Sequence, residues 1–307
     1  MKPRVIFMGT PLFATNVLQK LIDNYDVILV VCQPDKLVGR KKILTPCPVK
    51  EMALANNIEV FQPEKLRLDN EKIINLNPDL IVTCAYGQIV PKEVLEATKY
   101  GCINVHASLL PKYRGAAPIQ ACLLDGEDKT GITIMYMDES LDTGDIISTR
   151  ELIIDKDDNL ETLSNKLSLL GANLLINTIP SILEGTNNRI KQDDSKSSYA
   201  HMIKREDEYL DFNCLGNVII NKIRGLYPNA SFILDGIEIK VLKAVYEKAD
   251  SKETGIIKYL DKNNFGITCC DGIIYLKEVK PSGKNKMDIK SYLNGLNKEK
   301  YINKRVD

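Results

Sequence analysis

Histidine is scarce in this chain: among 307 residues there are two, His106 and His201. A metal centre built from several imidazoles is therefore excluded. The eight cysteines include no C-x-x-C pair, and Cys269-Cys270 are adjacent, which is poor spacing for thiolate ligation. No metal is expected, and most of the thiols read as small hydrophobes buried in a reducing cytoplasm. The formal net charge is +0, so no global field draws the chain to nucleic acid or membrane. No apolar run approaches the length of a membrane span. Met1-Lys2-Pro3-Arg4 runs straight into the strand-like Val5-Ile6-Phe7-Met8, leaving no room for a secretory or transit peptide. The first strand is followed by Gly9-Thr10-Pro11-Leu12-Phe13-Ala14 and not by G-x-G-x-x-G, which disfavours a nicotinamide cofactor. No serine or thiol nucleophile with an adjacent base is present, which argues against covalent catalysis. Internal repeats and low-complexity tracts are absent as well.

What remains is a globular chain, 44% hydrophobic and 27% charged, long enough for two domains. Its first part alternates strand and helix patterns, the mark of a doubly wound, mostly parallel α/β sheet. Strand-like runs are Val5–Met8, Val27–Val31, Leu80–Cys84 and Cys102–His106, with helical stretches Pro11–Ile22, Pro48–Asn56, Asn70–Leu76 and Pro91–Ala97 between them. Thr10 and Pro11 fit the N-cap and N1 positions of the first helix, and Gly9 could permit close ligand approach. Thr130–Met137 and Ile146–Ile154 read as further strands, followed by a long helix from Asn159 to about Leu183. From Arg189 to Ser198 the chain is polar with almost nothing to bury, so residues 189–204 are taken as a linker between domains 1–188 and 205–307. Beyond it, Gly216–Leu226 looks helical and short β-rich runs follow, as in a small barrel. From His201 to Asp307 there are 19 Lys and Arg against 15 Asp and Glu, a weak hint of a polyanionic partner.

The chemistry-bearing residues cluster around Cys102–His106. Side chains alternate along a strand, so Asn104 and His106 point the same way and arrive at its C-terminal edge, where open parallel sheets hold ligands. An amide and an imidazole side by side can hold the oxygen of a tetrahedral intermediate. Such a pair needs a carboxylate to move a proton. Asp142, in Leu141-Asp142-Thr143-Gly144, is the candidate, although taken alone it is an ordinary Asp-x-Gly turn. Together the three suit acyl transfer by direct attack of an amine. After the second strand, Pro34-Asp35-Lys36-Leu37-Val38-Gly39-Arg40-Lys41-Lys42 is either a solvated surface loop or a grip for phosphates.

Asn104-x-His106 with the following Ser-Leu-Leu-Pro, Arg114-Gly115 and Leu141-Asp142-Thr143-Gly144 resemble the folate-dependent formyltransferases. Further matching pieces are Gly9-Thr10-Pro11, Gln33-Pro34-Asp35, Phe61-Gln62-Pro63, Ala85-Tyr86-Gly87, Ala116-Ala117-Pro118-Ile119-Gln120 and Pro281-x-Gly283-Lys284. The resemblance spans nearly the whole chain. It implies a Rossmann-like formyltransferase domain followed by an OB-like barrel that holds tRNA. It implies transfer of a formyl group from 10-formyltetrahydrofolate to the methionine α-amine on initiator tRNA, by a cytoplasmic monomer with no membrane partner. By the same resemblance Asn104, His106 and Asp142 are catalytic, and Ser108, Leu109, Leu110, Pro111, Gln88 and Ile89 contact folate. Arg40, Lys41 and Lys42 meet the tRNA acceptor end. Two departures stand out: Tyr113 and Tyr227 occupy places where the family usually carries Trp, and Lys41 replaces a small residue. Formyl transfer to a sugar-nucleotide amine, or hydrolysis of the formyl-folate, would use the same three catalytic residues.

Overall fold

The computed structural model describes residues 2–39, 41–250 and 253–306. The chain divides into two compact units, one of Met1–Pro118, Lys129–Ile153 and Ser164–Ala200, the other of Ile119–Asp128, Ile154–Leu163 and His201–Asp307.

The first unit holds strands β1 (Arg4–Gly9), β2 (Asp26–Val31), β3 (Lys36–Val38), β4 (Ile43–Thr45), β5 (Val60–Phe61), β6 (Leu80–Cys84), β7 (Cys102–His106), β8 (Arg114–Gly115), β9 (Lys129–Tyr136), β10 (Ile146–Ile153) and β11 (Tyr199–Ala200). Seven of them form one sheet in the order β10-β9-β7-β6-β1-β2-β5. The five strands from β7 to β5 are parallel, β9 is antiparallel to β7, and β10 is antiparallel to β9. β1 and β6 are buried almost end to end, as parallel strands covered on both faces require, and their sequences are unbroken apolar runs for that reason. The chain winds outward in opposite directions from β1 and β6, so a crevice opens at their C-terminal ends.

The helices of this unit are α1 (Thr15–Asn24), α2 (Pro48–Ala55), α3 (Glu71–Asn75) and α4 (Lys92–Leu95); α5 (Pro118–Leu124) and the 25-residue α6 (Leu160–Glu184) follow. By length and composition α6 could cross a membrane, contrary to the expectation that no run comes close. Half of its most apolar window is buried, with Leu167, Leu175 and Ile179 fully inaccessible, as in a core helix. It lies close on β7: a Cβ at Gly171 would stand 2.9 Å from Val105 Cγ1.

One local reading is corrected. Thr10 does not cap the first helix. Its hydroxyl donates to the Tyr86 carbonyl at 3.0 Å and accepts from the Gln33 amide at 3.3 Å, and a 3-10 turn at Leu12–Ala14 precedes α1. Gly9 is required by the sheet itself, since a Cβ there would meet the Phe7 ring at 2.8 Å and the Cys84 carbonyl at 2.9 Å.

Residues 189–200 group with the first unit and do not behave as a bare connector. Ile190 bridges Ile146, Gln192 is 6% exposed, and β11 pairs in parallel with β8. Its polar composition suggested a linker because what it buries are hydrogen bonds and not apolar surface.

In the second unit, β12 (Ser231–Leu234), β13 (Ile237–Lys248), β14 (Ile257–Leu260), β15 (Phe265–Cys269), β16 (Gly272–Pro281) and β17 (Met287–Asp288) form an antiparallel sheet ordered β12-β13-β16-β15-β14, with β17 on β16. It is a curled half-barrel, and among the described residues no ladder joins β12 to β14. Phe232 meets Phe212 edge-on with ring centroids 5.9 Å apart and Phe265 at 6.4 Å, in a core shared with Ile219 and Ile223 of α7 (Gly216–Gly225). Asp271 ties α7 to the sheet by accepting from the Gly216 amide and the Tyr246 hydroxyl.

Candidate active site

β7 ends at the sheet's C-terminal edge with Asn104 half-buried and His106 5% exposed. The Asn104 carboxamide oxygen accepts from the Thr83 hydroxyl of the neighbouring strand at 2.8 Å. With its oxygen on Thr83, the amide has an NH2 group that makes no hydrogen bond among the described residues. His106 Nε2 lies 2.9 Å from the Tyr113 carbonyl. A carbonyl only accepts, so Nε2 carries a proton and Nδ1 is the edge that faces outward. Nδ1 stands 3.6 Å from Asp142 Oδ2. This is too long for a hydrogen bond.

Asp142 is brought there by the connection between β9 and β10. Its backbone is left-handed, with φ of 53°, and its carboxylate is 12% exposed. Oδ2 accepts from the Gly115 amide at 2.8 Å. Gly144 lets the loop close: a Cβ there would fall 1.9 Å from the Tyr136 carbonyl oxygen. Gln192 Nε2 then donates to the carbonyls of both Asp142 and Gly144 at 2.8 Å. Gln192 Oε1 accepts from Arg114 Nε at 3.0 Å and Nη2 at 2.8 Å, and Nη2 also reaches Asp194. Arg114 is 2% exposed, a buried cation held by the Asp194 carboxylate, the Gln192 amide and the Tyr199 hydroxyl.

The structure thus joins the three residues expected to be catalytic. Of those expected to contact folate, Ser108 is fully buried, its hydroxyl spent on the Lys112 carbonyl at 2.6 Å. Leu109 is half-buried, and Leu110 packs with Met135 and Ile146. The Leu110–Pro111 bond is cis. Both ends of the Gln88 amide are occupied, accepting from the Leu66 amide and donating to the Pro63 carbonyl, so its side chain bridges two loops. Ile89 is 83% exposed beside it.

The basic loop is a hairpin of β3 and β4. Lys41 and Lys42 are exposed, and Arg40 lies outside the described residues. Its base is anchored by Lys50, which donates to Asp35 and Gln62, while Gln62 donates to the Gln33 carbonyl. That network joins the Gln33-Pro34-Asp35 and Phe61-Gln62-Pro63 motifs, and Lys50 holds the Asp35 carboxyl below its usual range. Sequence reasoning missed Thr83 and Gln192. Thr83 sits in an ordinary apolar strand, and Gln192 in a segment whose polarity signalled exposure.

Residues 1–179 match the formyl transferase family, and residues 202–297 match its C-terminal domain. The chain belongs to the formyltransferase family. This formyltransferase is 47% identical to the methionyl-tRNA formyltransferase of Staphylococcus epidermidis over 298 residues, covering 95% of this chain and 96% of that one. To the enzyme of the same name from Listeria monocytogenes it is 49% identical, covering 95% of each. Among solved structures, the N-formyltransferase from Helicobacter canadensis, in complex with folinic acid and dTDP-3-aminofucose, matches at TM-score 0.68 and 23% identity. It covers 90% of this chain and 99% of that one. WlaRD, a sugar 3N-formyltransferase, matches at TM-score 0.66 and 22% identity, covering 93% of this chain and 100% of its own. These two establish a shared fold.

Proposed function

We propose that the chain transfers the formyl group of 10-formyltetrahydrofolate to the α-amine of methionyl initiator tRNA. The reaction rests on one observation: His106 Nδ1 lies 3.6 Å from Asp142 Oδ2 at the sheet edge that also carries Asn104. The choice of acceptor is supported by identity of 47% and 49%, over nearly the full chain, to proteins named methionyl-tRNA formyltransferase.

The neutral amine attacks the formyl carbon, and the carbonyl electron pair moves onto oxygen. The Asn104 NH2 group and His106 hold that oxygen, the ring acting as an imidazolium whose Nε2–H stays on the Tyr113 carbonyl while Nδ1–H donates to the oxygen, and such preorganised donors contribute on the order of 10²–10³ in rate. Asp142, through a water, takes the proton lost by the attacking nitrogen. The bond from the formyl carbon to N10 then breaks and N10 regains a proton, giving the formamide and tetrahydrofolate with no net proton change. The exposed Ile89, the half-buried Leu109 and the Ser108–Pro111 turn supply an apolar wall for the folate. The hairpin lysines and the C-terminal unit take the tRNA, and the enzyme works as a cytoplasmic monomer.

The test offers 10-formyltetrahydrofolate with charged initiator tRNA, with a sugar-nucleotide amine, or with water alone. Formylation of the tRNA is expected. Formylation of the sugar only, or hydrolysis only, overturns the assignment.

A further inference from the structure

We infer that Gln192 is a positioning residue for catalysis, which sets the Asp142 carboxylate against His106 by clamping the Asp142–Gly144 turn to the Arg114–Gly115 strand. The inference rests on the formyl-transfer reading and goes beyond its three reacting residues.

The Asp142 carboxylate has one recorded anchor of its own, the Gly115 amide at 2.8 Å. That bond joins two pieces of chain with little regular structure: a tight turn with a left-handed residue, and a two-residue strand. Gln192 holds both. Its Nε2 hydrogens satisfy the carbonyls of Asp142 and Gly144, and its Oε1 takes both Nε and Nη2 of Arg114. All hydrogen-bonding capacity of this one side chain is used, at 6% exposure, so it offers nothing to a ligand and acts through what it holds. The residues after it complete the clamp. The Ser198 carbonyl accepts from the Arg114 amide, the Ser198 hydroxyl from the Tyr113 amide, and the Ala200 carbonyl from the Ala116 amide. Tyr113 is the residue whose carbonyl orients His106. Segment 192–200 therefore fixes the backbone on both sides of the 3.6 Å gap between imidazole and carboxylate.

Side-chain chemistry separates the two halves of the clamp. Gln192→Glu keeps the acceptor for Arg114 and strengthens it with charge, but replaces the donor to the Asp142 and Gly144 carbonyls with an oxygen they repel. Gln192→Leu removes both halves. A displacement near 1 Å at a reacting group costs on the order of 10² in rate. We expect Gln192→Glu to lower kcat roughly 10–100-fold with the KM for 10-formyltetrahydrofolate little changed, and to shift the pH profile of kcat.

The decisive measurement is a double-mutant cycle on methionyl-tRNA formylation, with wild type, Gln192→Glu, Asp142→Asn and the pair, each checked for thermal stability. If Gln192 works through Asp142, the pair is no slower than Asp142→Asn alone. A full further loss in the pair, or a Gln192→Glu enzyme with wild-type kcat and pH profile, overturns the inference. A fall in Gln192→Glu activity that tracks a collapse in melting temperature also overturns it. Failure of the formyl-transfer reading looks different: wild type does not formylate the tRNA, or Asp142→Asn retains full activity.

Discussion

Replacing Asp142 by asparagine isolates the proton-transfer role of the carboxylate. The asparagine oxygen can still accept from the Gly115 amide, now 2.8 Å from Oδ2, and the left-handed backbone at φ 53° suits asparagine as well as aspartate. Position is therefore kept. What disappears is the base, together with the negative charge 3.6 Å from His106 Nδ1. Loss of a general acid–base group costs about 10²–10⁴ in rate. At about 1.36 kcal/mol per tenfold, that is roughly 3–5 kcal/mol of barrier. The folding cost is smaller, about 1 kcal/mol for a charge-assisted hydrogen bond made neutral, or about 2–4 °C in Tm at this size. The assay is single-turnover formylation, with enzyme in excess over methionyl-tRNA, beside a thermal melt. A rate near wild type would refute the assigned role. A rate loss accompanied by a large drop in Tm would show that Asp142 matters for folding and not for proton transfer.

Gly115→Ala should both destabilise the enzyme and slow it. A Cβ there would lie 2.6 Å from the Ala200 carbonyl oxygen at φ 119°, and strain of this kind costs about 2–4 kcal/mol, read as a fall of about 5–15 °C in Tm. Lys41→Ala with Lys42→Ala should raise the KM for tRNA and lower the salt slope of binding by about two, leaving the KM for folate unchanged; an unchanged slope removes the hairpin from the tRNA site. Cys47, half-buried at the start of α2, has its thiol pulled down to about 6, first by the hydrogen bond from Cys32 and then by the Lys50 and Val49 amides. The thiolate is therefore expected to persist to lower pH than in an ordinary cysteine. Its alkylation by iodoacetamide should therefore be fast at neutral pH and fall away as pH drops through the value; a profile centred near an ordinary thiol pKa contradicts this.

The parallel core was legible because strands buried on both faces leave unbroken apolar runs, as in Leu80–Cys84, and because Asn104 and His106 keep a period of two. The hairpin of β3 and β4 escaped notice for the opposite reason. Leu37, Val38, Ile43 and Leu44 are all more than half exposed, so no buried face imposes alternation. β8 and β11 are two residues each, below the reach of any periodicity. Asn104, His106 and Asp142 could be named singly, but their meeting depends on a pairing of β7 with β9 that brings Asn104 opposite Met135. Gln192 was invisible because a buried amide and a solvated one have the same letter.

The short parallel pairing of β11 with β8 sets a condition on when the enzyme can exist. A ribosome that has finished residue 188 has already delivered Asn104, His106 and Asp142, the three residues proposed to react. The strap over the Asp142 turn is still unmade at that moment, because Gln192, Ser198 and Ala200 come later. The clamp on the Asp142 turn is thus completed late in synthesis, by a stretch that looks like a tether, and a chain cut at residue 188 keeps Asn104, His106 and Asp142 while losing every hydrogen bond that Gln192, Ser198 and Ala200 make.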